Sequence, residues 1–336
     1  MSINEILYNI QDLSVEFHTR VGILGAVDHA SLDIRRGEVL GLVGESGCGK
    51  STLGKALMRM IEEPGKITSG KLLFDNIDIL ALDDSRMREL RGSRISMVFQ
   101  DPMTSLNPVQ RVVDHITEAI QVHQSYVTDK EARARAANLV DRLGISHDRL
   151  DDYPHHLSGG MRQRVMIGLA LALRADLVIA DEATTSLDVI VEAQFLDLLR
   201  ELRNEFDLTI LLITHNMGIV AELADRVAVM YAGRLVELAE VNQLFSNPKH
   251  PYTEGLLRAV PNIQLDEGEL YKMAGSPPDL VRPPSGCRFH PRCPKVMEIC
   301  SQVDPIFKSI APNRMVNCWL YQEVPDEKLW VGGSTQ

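Results

Sequence analysis

The sequence predicts an α/β fold: a mostly parallel sheet with helices, a helical insertion and a small loop-rich C-terminal extension. Three observations carry this. Short apolar runs suited to buried strands alternate with amphipathic helical stretches. One segment in the middle loses its apolar β-runs and reads as helix throughout. Beyond about residue 260, Pro and Gly become frequent, as in GSPPDLVRPPSGC.

The elements follow in order. The segment LYNIQDLSVEF alternates with the period of a strand, and SLDIRRGEVLGLVG ends in a continuous apolar run that suits burial on both faces. A Gly-rich loop and a helical stretch, STLGKALMRMI, come next. RISMVFQ reads as a strand ending at Gln100, and residues 101–157, with EARARAANLVDRL, as the helical insertion. The strands DLVIADE, LTILLITH and RVAVMYAGRLVEL are separated by the helices GGMRQRVMIGLALAL and VEAQFLDLLRELRNEF. Two units are expected, 1–260 and 261–336.

Composition narrows the function. Among 336 residues, hydrophobic types make up 45% and charged types 24%, enough for a buried core. The formal charge of −11 argues against a nucleic-acid binder driven by bulk positive charge. No run reaches the roughly 18 apolar residues of a membrane span, and MSINEILYNI lacks the basic and apolar regions of a signal peptide. An intracellular chain is expected, with any membrane role supplied through a partner.

The strongest chemical signal is GESGCGKS at residues 44–51, which matches G-x-x-x-x-G-K-[ST] with a strand before and a helix after. Gly44, Gly47 and Gly49 let successive N–H groups face an anion, and the helix start adds its positive end. Ser46, Cys48 and Thr52 belong to the same nest. Lys50 is expected to reach the β- and γ-phosphates and Ser51 to hold Mg²⁺. Cys48, at a helix start near Lys50, is expected to favour its thiolate. In LVIADE, Asp181 suits the Mg²⁺ shell, and Glu182 suits a base that polarises the attacking water. His215, at a strand end on the same sheet edge, suits a γ-phosphate sensor.

LSGGM, at residues 157–161, resembles the signature sequence of ABC-transporter ATPases. With GESGCGKS, Gln100, LVIADE, SLD at residues 186–188 and His215 it forms that family's full set in order, over about residues 5–260. Ser158, Gly159, Gly160 and Met161 form a second anion-binding turn at a helix start. The resemblance implies that this nest binds the γ-phosphate of ATP held by a partner cassette. It further implies that Asp188 shapes the facing water site across the interface. Gln100 would sense γ-phosphate and Mg²⁺ and signal to the helical insertion, which docks on a membrane subunit. Phe17 stands where the family stacks an aromatic on adenine; an ordinary strand aromatic is the equal alternative. Three residues depart from the common pattern: Ala183 after the Glu, Cys48 in the phosphate loop and Asn216 after the His.

A narrower resemblance covers the tail. NPKHPYTEGLLRAVP and PPSGCRFHPRCPKVMEIC look like the C-terminal region of ATPases from dipeptide, oligopeptide and nickel importers, and FQDPMTSLNP fits that branch. Cys287, Cys293, Cys300 and Cys318 are spaced C-x₅-C-x₆-C-x₁₇-C. In a reducing compartment, clustered thiols favour a metal over disulfides. Four thiolates suit a 4Fe–4S cluster or Zn²⁺, and unmetallated thiols are the third reading. The resemblance associates the pattern with 4Fe–4S and gives the cluster a structural role.

The expected function is ATP hydrolysis powering import of short peptides from the cytoplasmic face of the membrane, as a peripheral subunit. The implied partners are a second ATPase subunit (a paralogue is favoured), two transmembrane permeases and, indirectly, an extracytoplasmic solute-binding protein. Oligosaccharide or nickel are alternative cargoes. A soluble ABC ATPase acting on DNA or ribosomes is the reading from a different class; the single cassette, negative charge and importer-type tail weigh against it.

Overall fold

The computed structural model describes residues 5–100, 105–184, 188–259 and 273–324. The chain opens with β1 (Ile6–Thr19) and β2 (Gly22–Arg35), followed by β3 (Val39–Val43) and α1 (Lys50–Leu57). Then come β4 (Gly65–Phe74), β5 (Ile77–Asp78), α2 (Asp84–Leu90) and β6 (Ile95–Val98). The insertion supplies α3 (Val112–His123) and α4 (Asp129–Arg142), and α5 (Gly159–Leu171) returns to the core. The remaining core elements are β7 (Leu177–Asp181), α6 (Val189–Phe206), β8 (Thr209–Thr214), α7 (Met217–Leu223), β9 (Arg226–Tyr231), β10 (Arg234–Glu240), α8 (Val241–Ser246) and α9 (Pro251–Arg258). The tail contributes β11 (Lys308–Ala311) and β12 (Arg314–Val316).

Two sheets form. One is antiparallel, in the order β2-β1-β4-β5; the other has eight strands in the order β11-β12-β10-β9-β3-β8-β7-β6. From β9 to β6 the larger sheet is parallel. Its parallel strands are buried and mostly apolar because both faces are covered. Leu40, Leu42, Ile179, Leu211 and Ile213 face one core, shared with α1 and the antiparallel sheet. Val39, Val43, Val178, Ala180, Ile210 and Leu212 face the other, shared with the helices. The period-2 alternation of side chains sends neighbouring residues to opposite cores.

Three local readings change. RVAVMYAGRLVEL is not one strand: β9 and β10 pair antiparallel with Tyr231 opposite Arg234. Ala232 and Gly233 turn between them at φ 47° and 85°, the pairing of positive angles that two-residue hairpin turns favour. SLDIRRGEVLGLVG likewise divides between β2 and β3 around Gly37. GKITSGKLLF, unassigned in the sequence reading, is β4, paired with β1. The helical insertion is present as α3 and α4, with a capping box of Thr128 and Glu131 starting α4.

The tail does not stand off from the core. β12 pairs with β10, so the tail extends the eight-stranded sheet. Beneath that joint, Glu237 is fully buried and is met by Arg314 of β12 at 3.1 Å and by the backbone N–H groups of Lys249 and His250. The expected boundary near residue 260, the residues Ser186 and Leu187 of SLD, and much of FQDPMTSLNP lie outside the described residues.

Candidate active site

The phosphate loop leaves β3 and enters α1. Gly44 takes φ 157° and packs against the next strand: a Cβ there would lie 2.1 Å from the Met230 carbonyl oxygen. At Gly49, with φ 109°, a Cβ would lie 2.1 Å from the Ala26 carbonyl oxygen. Only glycine permits both the angle and the approach. Ser46 and Gly47 are exposed at the loop crest, Thr52 is half-buried, and no side chain caps the start of α1. The helix therefore presents free N–H groups to the loop.

Lys50 is buried at 4% exposure, and its Nζ donates to the carbonyl oxygens of Gly44 at 2.9 Å and Glu45 at 3.1 Å. Beside it, Ser51 Oγ donates to Asp181 Oδ1 at 2.8 Å. Burial raises the Asp181 carboxyl from its ordinary value; the Ser51 hydrogen bond opposes this, and the neighbouring Glu182 adds to it. A cation here would offset that cost of desolvation. Ser51, Gln100 and Asp181 line one cleft, a set of oxygen donors suited to Mg²⁺.

Glu182 follows β7 in a left-handed conformation, φ 46°, uncommon for a residue with a side chain. Its N–H is fixed by the Ile213 carbonyl of β8 at 2.9 Å. Gln100 Nε2 donates to Glu182 Oε2 at 2.9 Å, and His215 Nδ1 lies 3.5 Å from Oε1. Three residues scattered through the sequence thus meet around one carboxylate at the ends of adjacent parallel strands. His215 is half-exposed and free to face a ligand.

The signature segment lies at the start of α5, where Ser158 Oγ accepts from the Met161 N–H at 3.3 Å. Gly159 is open on its outer side, whereas a Cβ on Gly160 would come within 2.6 Å of Val191 of α6. Asp188 caps α6, accepting from the Val191 N–H at 2.9 Å. The close approach at Gly160 therefore brings LSGGM and the Asp188 turn together on one surface.

One expectation is corrected. Cys48 does not favour its thiolate: it is 5% exposed, and burial pushes the thiol up, outweighing Lys50, whose Nζ stands 3.9 Å from its Sγ. The four tail cysteines lie among the described residues, where no group of three or more His, Cys, Asp or Glu side chains stands in metal-holding geometry. They do gather. Burial, and secondarily the charges of Cys300, Cys318 and Cys293, push Cys287 up to about 12; burial and the neighbouring thiols push Cys318 up to about 11. Neutral thiols have no attraction to draw them into contact, and the thiolates would repel. Phe17 is half-buried against the β4 start, its ring beside Gly65.

Sequence reasoning missed the tail's reach into this site. Arg292, within the quoted RFHPRC, forms a two-pronged pair with Glu45 of the phosphate loop at 2.9 and 3.0 Å. Tyr252 Oη accepts from the Glu45 N–H at 2.9 Å.

The profile of the ABC transporter family matches residues 27–185, and that of the oligopeptide/dipeptide transporter C-terminal region matches residues 236–300. The dipeptide transport ATP-binding protein DppD of Bacillus subtilis is 44% identical over 95% of this chain and 96% of its own length. The oligopeptide transport ATP-binding protein OppD of Salmonella typhimurium is 44% identical over 94% of this chain and 93% of its own. Among solved structures, a dimeric bacterial ABC transporter cassette, MJ0796, matches with a TM-score of 0.64 and 26% identity, covering 70% of this chain and 98% of that one.

Proposed function

Because the chain belongs to the ABC transporter family, as an ATP-binding subunit related to those of dipeptide and oligopeptide transporters, we propose that it hydrolyses ATP to power peptide import through a membrane complex. The observation that carries the reading is the convergence of Gln100 and His215 on Glu182 beside a phosphate loop whose lysine is held in place.

In this reading the Lys50 loop and the start of α1 hold the phosphates, and Lys50 exchanges the loop carbonyls for phosphate oxygens. Ser51 and Gln100, with Asp181 hydrogen-bonded to Ser51, would hold Mg²⁺, which would supply charge neutralisation to the phosphates. Glu182 takes a proton from the attacking water, oriented by Gln100 and His215. Ser158, Gly159 and Gly160 serve ATP held by a second cassette, and Asp188 flanks the facing site. This reading is supported by the exposed Gly159, and the related MJ0796 cassette is described as dimeric. The second cassette is a paralogue, and the pair docks on two permease subunits supplied by an external solute-binding protein. No helix among the described residues is long and apolar enough to cross a membrane; in this reading the chain attaches peripherally, at the cytoplasmic face, through the permeases.

The four tail cysteines would hold a 4Fe–4S cluster or Zn²⁺, whose positive charge would offset the cost of burying the Cys287 and Cys318 thiolates. Iron and zinc analysis of anaerobically purified protein separates these; absence of both leaves free thiols. The transport reading is tested by reconstituting the chain with its permeases and measuring ATP-dependent uptake of a labelled dipeptide. Uptake of nickel or oligosaccharide instead would redirect the cargo, and absence of ATP-dependent uptake of any of the three would overturn the reading.

A further inference from the structure

The phosphate loop carries its own negative charge. Glu45 is the second residue of GESGCGKS, in a loop fitted to a polyanion. All three of its polar groups are held. Its N–H donates to Tyr252 Oη at 2.9 Å, and its carbonyl accepts from Lys50 Nζ at 3.1 Å. Its carboxylate is gripped by both terminal nitrogens of Arg292.

Arg292 is placed for this task. Its side chain is only 6% exposed, and it also donates to Ala274 O at 3.0 Å and Tyr231 Oη at 3.3 Å. Its guanidinium lies over the Tyr231 ring, 5.7 Å from the centroid. It sits in the short turn His290–Arg292, between Cys287 and Cys293, next to the buried Phe289, which packs on Tyr231 and Tyr252. The guanidinium fork matches a carboxylate in a way a single ammonium does not.

We infer that Arg292 is a positioning residue for the nucleotide site: the tail supplies a guanidinium that neutralises Glu45 and fixes the first turn of the phosphate loop for ATP. The inference rests on the nucleotide-binding reading above. Without Arg292, the carboxylate faces the incoming phosphates uncompensated, and the carbonyl that orients Lys50 loses its anchor. The tail thereby acts on the chemistry of the cassette it follows, in addition to extending its sheet.

The test uses the full-length chain, with MgATP affinity measured by titration calorimetry at two ionic strengths. Arg292→Gln keeps hydrogen-bonding capacity but loses the charge; affinity is expected to fall about tenfold, the scale of one uncompensated charge at a partly screened site. The loss should shrink in high salt. Arg292→Gln combined with Glu45→Gln should recover affinity to within about threefold of native, because the repelling charge is gone as well. Arg292→Lys keeps the charge but loses the two-pronged fork, so its loss should be smaller than that of Arg292→Gln without vanishing. Undiminished affinity in Arg292→Gln, or a loss that neither salt nor Glu45→Gln relieves, overturns the proposal. If Arg292→Gln does not fold, a loss in Arg292→Lys that Glu45→Gln does not relieve overturns it. Lys50→Ala serves as the control: native protein that binds no MgATP, or binds it equally with Lys50→Ala, defeats the nucleotide reading itself, a result distinct from failure of the Arg292 comparison.

Discussion

At Glu182, which follows β7 in a left-handed conformation, the hydrogen bond from Gln100 and the contact with His215 address one carboxylate oxygen each. Glu182→Gln preserves much of that shape and removes the base. Hydrolysis in the assembled transporter should fall on the order of 10²–10⁴-fold while MgATP still binds; near-normal turnover would take Glu182 out of the role. Cys48 makes the opposite point about residues in a functional loop. Its position beside Lys50 suggests a reactive thiol, but burial dominates. Maleimide should modify Cys48 far more slowly at neutral pH than it modifies the same thiol in unfolded protein. Equal rates would show that the side chain meets solvent.

The starts of helices carry much of the functional geometry. Ser158 caps α5 and Asp188 caps α6, so each residue has a structural duty inside the chain whatever it does toward a partner. Ser158→Arg removes a cap, at a cost of about 1 kcal/mol, and places bulk where a second cassette would sit. ATP binding by the Lys50 loop should persist, and hydrolysis by the assembled transporter should be lost. Unchanged hydrolysis would contradict the shared site. The start of α9 contains a pH-sensitive element. His250 is fully buried with its Nδ1 accepting from the Tyr252 N–H, and burial lowers it from 6.5 to about 3. The unfolded chain takes up this proton as pH falls through about 6.5, and the folded chain only near about 3. Stability from this group is therefore present above pH 6.5 and lost progressively on acidification toward 3. Denaturant midpoints measured over that range should fall less steeply for His250→Asn than for native protein.

Across the whole molecule, ionic contacts join tail and cassette, and among the described residues they include two on which the site or the core depends. Arg292 meets Glu45 at the phosphate loop, and Arg314 meets Glu237 beneath β10. Glu237 is completely enclosed, so Arg314→Met leaves a buried charge with only backbone donors. The expected loss is about 3–5 kcal/mol by denaturant unfolding, with protease sensitivity of residues 308–316 rising first. A change below about 1 kcal/mol would mean that the backbone donors alone satisfy Glu237. The same wiring makes removal of the tail at residue 260 an intervention on the cassette, since it strips both arginines at once.

The sequence by itself determined the alternation of strands and helices, the glycine loop, and the identity of Lys50, Asp181, Glu182 and His215, because those signals are local. An apolar run buried on both faces, a glycine where backbone strands crowd, and a carboxylate at a strand end each show in a few consecutive residues. Local pattern did not separate β9 from β10: a two-residue turn through Ala232 and Gly233 barely interrupts an apolar run. Nor could it settle the state of Cys48, where a helix start and a lysine favour the thiolate but the surrounding packing opposes it. Only the tertiary structure brought Gln100, Glu182 and His215 together, and Arg292 to Glu45 across 247 positions of chain. Strand order and sheet extension decide such meetings. They are set by which apolar faces cover one another over long separations, a quantity that no short window of sequence contains.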